Sequence, residues 1–94
     1  MALIRPVALT GSDQAVVAAP AVYRGLTVRE TSGSAGAVLR LHDNASAGSG
    51  TILQTVALAQ GESANLMHPD GVWAVNGIYA DVVSGAIEGS VYIA

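Results

Sequence analysis

The chain has no cysteine, no lysine and no phenylalanine, and only four arginines among its 94 residues. Without cysteine there is no disulfide framework, no thiolate metal site and no Cys nucleophile. Four Arg against seven acidic residues give a net charge of −3. That balance excludes a basic footprint able to neutralise many phosphates. Charged residues make up only 12% of the chain, too few for an acidic solvating tail. No apolar run approaches the roughly 18–20 residues that span a bilayer. Residues 1–21 hold Arg5 and the small-residue run Ala18-Ala19-Pro20-Ala21. Pro6 and Gly11-Ser12-Asp13-Gln14 interrupt the continuous apolar stretch that a signal peptide needs. The segment is therefore expected in the mature protein.

What is present is small and apolar. Leu, Ile and Val supply 25 of the 94 residues, beside 17 Ala and 11 Gly. That is enough for one core in one domain. The glycines are spread along the chain, and period-two alternation runs between them, as in a sandwich or barrel. In 22–31, Leu26 and Val28 face one way and Thr27 and Arg29 the other. In 37–43, Ala37, Leu39 and Leu41 oppose Val38, Arg40 and His42. Further strands are expected over 51–58, 63–68, 72–75, 78–84 and 88–93. Pro69-Asp70-Gly71 reads as a turn, and Asn76-Gly77 as a two-residue type I′ hairpin. Helical spacing is poor; residues 13–19 hold at most one or two helical turns before Pro20. The pattern predicts an all-β fold: an antiparallel β-sandwich, jelly-roll or Ig-like, of about 7–9 short strands with an extended N-terminal segment. Residues 1–20 are expected to form an N-terminal arm or edge strand, and 21–94 the sandwich. On the arm reading, removing residues 1–10 leaves the sandwich folded.

Each candidate for chemistry has a simpler structural reading. His42-Asp43 suggests a general base with its carboxylate, but neighbours on a strand point to opposite faces. A strand-end His followed by a turn-starting Asp accounts for both. His42, His68 and an acid could form a metal or hydrolytic site only if the fold brings them together. Asp43, Asn44 and Ser46 lack the spacing of a calcium loop. Gly48-Ser49-Gly50 lacks the strand–elbow–helix setting of a nucleophile, and Gly33-Ser34-Ala35-Gly36 has no following Lys to grip a phosphate. The aromatics Tyr23, Trp73, Tyr79 and Tyr92 are expected to pack the core, with Trp73 the foremost packing or interface anchor. Arg24, Arg29 and Arg40 are expected on outward faces, with Glu30, Asp43 and Asp81 as partners. No cofactor and no catalysis are expected.

Three segments carry a resemblance. They are Val22-Tyr23-Arg24-Gly25-Leu26-Thr27-Val28; Val38-Leu39-Arg40-Leu41-His42-Asp43-Asn44-Ala45-Ser46-Ala47-Gly48-Ser49-Gly50-Thr51; and Asn76-Gly77-Ile78-Tyr79-Ala80-Asp81-Val82. Together they resemble small structural virion proteins of tailed bacteriophages, over roughly residues 22–93. The shared motifs are turns and strands, so no active-site residues come with them. The resemblance implies a β-sandwich part of the particle, assembled in the host cytoplasm and carried in the virion. It fits a capsid decoration or cement protein that binds the major capsid protein or other virion proteins. A homo-oligomer is expected, a trimer foremost, with no nucleic-acid or membrane partner. Leu3, Ile4, Arg5, Val7, Leu9 and Trp73 are the expected contact residues. The alternatives are a tail, neck or fibre component with a receptor- or glycan-binding role, marked by exposed Trp73 and Tyr79, and a small metal-dependent hydrolase.

Overall fold

The computed structural model describes residues 3–94; Met1 and Ala2 of the expected N-terminal segment lie outside them. Eight strands follow in order: β1 (Arg5–Ala8), β2 (Gln14–Val17), β3 (Ala21–Glu30), β4 (Ala37–His42), β5 (Ile52–Leu58), β6 (Ser63–Ala74), β7 (Ile78–Ser84) and β8 (Ile87–Ile93). They form two four-stranded sheets, ordered β1-β8-β3-β6 and β2-β7-β4-β5. Every pairing is antiparallel. The first strand pairs with the last, the second with the seventh, the third with the sixth and the fourth with the fifth. The chain is thus one long hairpin, closed at β4–β5 and rolled so that successive strand pairs alternate between sheets. That is jelly-roll order, so the sandwich is of the jelly-roll rather than the Ig-like kind.

Alternation decides what goes inside. From one sheet Tyr23, Leu26, Val28, Val91 and Ile93 point inward, and from the other Leu39, Leu41, Val56, Ile78 and Ala80. With no Phe, Tyr23 is the only ring buried in this core. Its hydroxyl crosses to the other sheet and donates to Gln54 Oε1 at 3.3 Å. His68 Nε2 lies 2.8 Å from the same oxygen, and its ring stands 5.2 Å from that of Tyr23, centroid to centroid. A carboxamide oxygen only accepts, so this bond requires the His68 proton on Nε2. Burial raises the Tyr23 pKa, which keeps the phenol neutral and donating.

Three local expectations are corrected, and a fourth is narrowed to one of its two forms. Residues 13–19 are not helical, because β2 pairs with β7 and buries Val16; edge pairing overrides a weak helical signal. Pro69-Asp70-Gly71 does not end a strand. The register steps from Gly25↔Met67 to Tyr23↔Val72, so 68–71 bulge out opposite Arg24 within a continuous β6. Proline is tolerated there because β6 is an edge strand. Asn76-Gly77 is not a type I′ hairpin. That turn needs φ > 0 at both residues, and no described residue other than glycine has it. β6 and β7 lie in different sheets, so 75–77 is a crossover. Of the two forms expected for residues 1–20, arm or edge strand, the described residues take the second: β1 and β2 each lie at the edge of a sheet. β1 pairs with β8 and Leu9 lies in the core, so removing residues 1–10 would strip a sheet edge.

At Gly89 the strands leave no room for a side chain. This residue sits opposite Val28 with φ +149°, and a Cβ there would run into the Thr27 carbonyl. Gly89→Ala is expected to lower the unfolding free energy by about 1–3 kcal/mol, read from the urea midpoint. An unchanged midpoint would mean that β8 can slide off β3 at this point.

Candidate functional site

The jelly-roll path sorts the connections between two ends. The start of β1, the end of β8 and residues 18–20, 43–51 and 75–77 lie at one end. Residues 9–13, 31–36, 59–62 and 85–86 lie at the other. The first end carries most of the large apolar side chains that the fold leaves exposed: Leu3, Ile4, Ile52, Trp73 and Val75. Of the two roles expected for Trp73, core packing and interface anchor, the fold leaves room for the second. Trp73 is 59% exposed, because Val72 and Ala74 on either side of it take the inward positions. Of the expected contact residues, Leu3, Ile4, Arg5 and Trp73 present surface here, with Leu3 85% exposed. Val7 packs against the core and Leu9 is part of it. Ile52 and Val75 were not singled out from sequence; only the topology brings them to this end.

Beside this end, the loop 43–51 folds back on the second sheet. Asn44 organises it: Oδ1 accepts from the backbone N–H of Ser46 at 2.9 Å and of Ala47 at 3.0 Å, and Nδ2 donates to the Ser49 carbonyl at 3.2 Å. Asp43 accepts from the N–H groups of Asn76 at 2.8 Å and Val75 at 3.0 Å. These bonds, Asn76 foremost, hold its carboxyl below the usual range. Gly48 lies against the Asp81 carboxylate, and the loop covers His42. His42 does face a carboxylate, but a cross-strand one: Nε2 is 3.6 Å from Asp81 Oδ2. His42 is only 6% exposed, while the Asp81 side chain keeps about a quarter of its surface exposed. His68 faces Tyr23 and Gln54 instead, so the two histidines do not meet. Among the described residues no group of three His, Cys, Asp or Glu side chains could hold a metal.

The expected Arg partners are also redistributed. Arg29 pairs with Glu88 at 2.9 Å, directly across from it in the sheet. Glu30 pairs with no arginine. It is 2% exposed and gathers the far end: Oε2 accepts from Ser32 N–H at 2.6 Å, and Oε1 from Gly33 at 2.8 Å and Gly61 at 3.0 Å. One carboxylate therefore fastens residues 31–36 to 59–62. The Ser32 hydroxyl and then the Gly61 N–H are the main causes lowering its pKa from 4.5 to about 2.

No known family, curated protein or solved structure matches the chain.

The low pKa of Glu30 sets an acid limit. Its folded pKa lies below the unfolded one, so its contribution is complete above pH 4.5 and is lost as pH falls towards about 2. Stability is expected to drop through that window. Glu30→Gln should lower the melting temperature at pH 7 and flatten this acid limb. A variant that kept the wild-type acid profile would show that the carboxylate does not act through its charge.

Proposed function

We propose that this protein is a structural component of a tailed-phage particle, a capsid decoration or cement protein that docks on the assembled shell through its apolar end. The observation that supports this best is the gathering of Leu3, Ile4, Ile52, Trp73 and Val75 at one end of the sandwich. Large apolar side chains left exposed at one end of a fold suit a docking surface, and an exposed Trp is a frequent anchor of binding energy. The start of β1 and the end of β8 reach the same region, so Leu3 and Ile4 add to the surface without a separate arm. The partners on this reading are the major capsid protein or neighbouring virion proteins. The protein itself acts as a trimer or another cyclic oligomer at symmetry-related sites. Many copies let modest contacts stabilise a lattice together. The work is structural, and no catalytic step is assigned.

Exposed Trp73 also favours the second reading, a tail, neck or fibre component. Copy number separates the two. In purified particles a ratio to the major shell protein near one, or a simple fraction of it, is expected. A handful of copies would move the protein to the tail or neck, and absence would remove the particle reading.

Leu3→Asp and Trp73→Asp are each expected to weaken binding to purified shells by about tenfold or more. Both positions are exposed, so their cost to folding is expected to stay within about 0.5 kcal/mol. Full binding by the double variant would exclude this end as the docking surface.

A further inference from the structure

We propose that the outer face of the β1-β8-β3-β6 sheet carries a binding site for a neutral saccharide. A depression of about 550 Å³ opens on this face, within the roughly 300–1,000 Å³ typical of small-ligand sites. Two rungs of outward side chains line it: Ser63, Arg29 and Glu88 on one, Asn65, Thr27 and Ser90 on the next. Leu9 closes one side.

The chemistry of these side chains narrows the ligand. Arg29 and Glu88 neutralise each other at 2.9 Å, and the other four are uncharged, so the site has no net charge to select an ion. The hydroxyls of Thr27, Ser63 and Ser90 and the carboxamide of Asn65 make no hydrogen bond to other described residues. Each can both donate and accept. A sugar hydroxyl has the same dual capacity, so a polyhydroxyl ligand can satisfy these groups together with the Arg29 donors and the Glu88 acceptors. An extended peptide is a poorer match. β3 and β8 are each paired on both sides, so the floor has no free backbone ladder to extend.

The next rung towards the apolar end supplies the other half of sugar recognition. It runs Met67, Gly25, Tyr92, Pro6. Gly25 has no side chain, and the Met67 sulfur lies against it. Tyr92 and Met67 therefore border the polar rungs with apolar surface, against which the C–H face of a sugar ring can pack.

The site occupies the half of the sheet away from Trp73, Leu3 and Ile4, so it remains free when the apolar end is covered. The inference does not depend on the particle reading and is tested on the isolated protein. Because the depression is open, single-site binding is expected to be weak, about millimolar, with effective strength coming from several copies.

The test is a titration of the ¹⁵N-labelled protein with glucose, galactose, mannose, N-acetylglucosamine, lactose, maltose, cellobiose and chitobiose, with sialyllactose and a heparin disaccharide as charged comparisons. At least one neutral sugar is expected to give saturable amide shifts at residues 27–29, 63–65 and 88–90. Asn65→Ala and Ser90→Ala should each weaken that binding about tenfold with an unchanged melting temperature, and Trp73→Ala should leave it intact. No binding by the neutral panel up to about 10 mM, binding of the charged sugars alone, or shifts confined to the Trp73 end would each overturn the assignment.

Discussion

The constraint on which the rest of this structure depends is the position of β3 between β8 and β6. Tyr23, Leu26 and Val28 can enter the core only while Ile93, Val91 and Gly89 stay level with them on one side and Val72, Leu66 and Ala64 on the other. Side chains alternate with period two, so a slip of one residue would expose the whole set. Once β3 holds the last strand on one flank and the sixth on the other, the remaining pairings follow as the hairpin rolls up. The start of β1 and the end of β8 then fall at the same end of the sandwich. The exposed apolar end is thus a consequence of strand order, and the residues that compose it come from distant parts of the sequence.

A jelly roll makes nearly every connection cross between sheets, and each crossing leaves backbone N–H groups without a ladder partner. Those groups must find acceptors. That need explains what the chemically suggestive residues do. In the β6–β7 crossing Asp43 takes the N–H groups of Val75 and Asn76, and from the β1–β2 crossing Asp13 takes that of Val82 in β7 at 2.8 Å; in the β4–β5 loop, which stays in one sheet, Asn44 does the same for Ser46 and Ala47. Glu30 serves two crossings at once, which makes a nearly buried carboxylate tolerable: its charge is met by donors instead of a counter-ion. The His-Asp-Asn-Ala-Ser stretch at residues 42–46 is accordingly a device for folding a loop back on its sheet.

The alternating strands were legible in the sequence because their burial is one-sided. β3, β4, β7 and β8 all carry it in plain view, and the all-β sandwich follows from them. What was not legible depended on distance. β2 is four residues long, too short to display a period, so its strand character comes from β7. Pro69 and Gly71 have turn chemistry, but β3 and the length of β6 decide that they form a bulge instead. Asn76-Gly77 carries a hairpin signature that the two-sheet topology overrules. His42 occupies an outward position and is nevertheless covered, because a loop closing nine residues later lies over it. Trp73 was legible in principle. With Val72 and Ala74 as small inward residues, alternation already placed the indole outside, and the general preference of aromatics for cores was the weaker argument.

The edges bear on how such a molecule can join others. A sandwich with four edge strands invites pairing with neighbours, and three of the four are blunted. β1 is four residues long and contains Pro6; β2 is equally short and has a register shift; β6 is interrupted by the bulge at Pro69. Sheet extension through these strands is therefore disfavoured, which leaves side-chain contact as the main route of association. The least blunted edge is β5, seven residues without proline or glycine; its one register shift sits at its start, beside Ile52 and within the apolar end. An association seated on that end could thus add backbone pairing along β5 to apolar contacts around Trp73. The polar depression lies on the outer face of the other sheet and would remain open throughout. Attachment and ligand capture would then use separate surfaces, kept apart by the same rolled hairpin that places the start of β1 beside the end of β8.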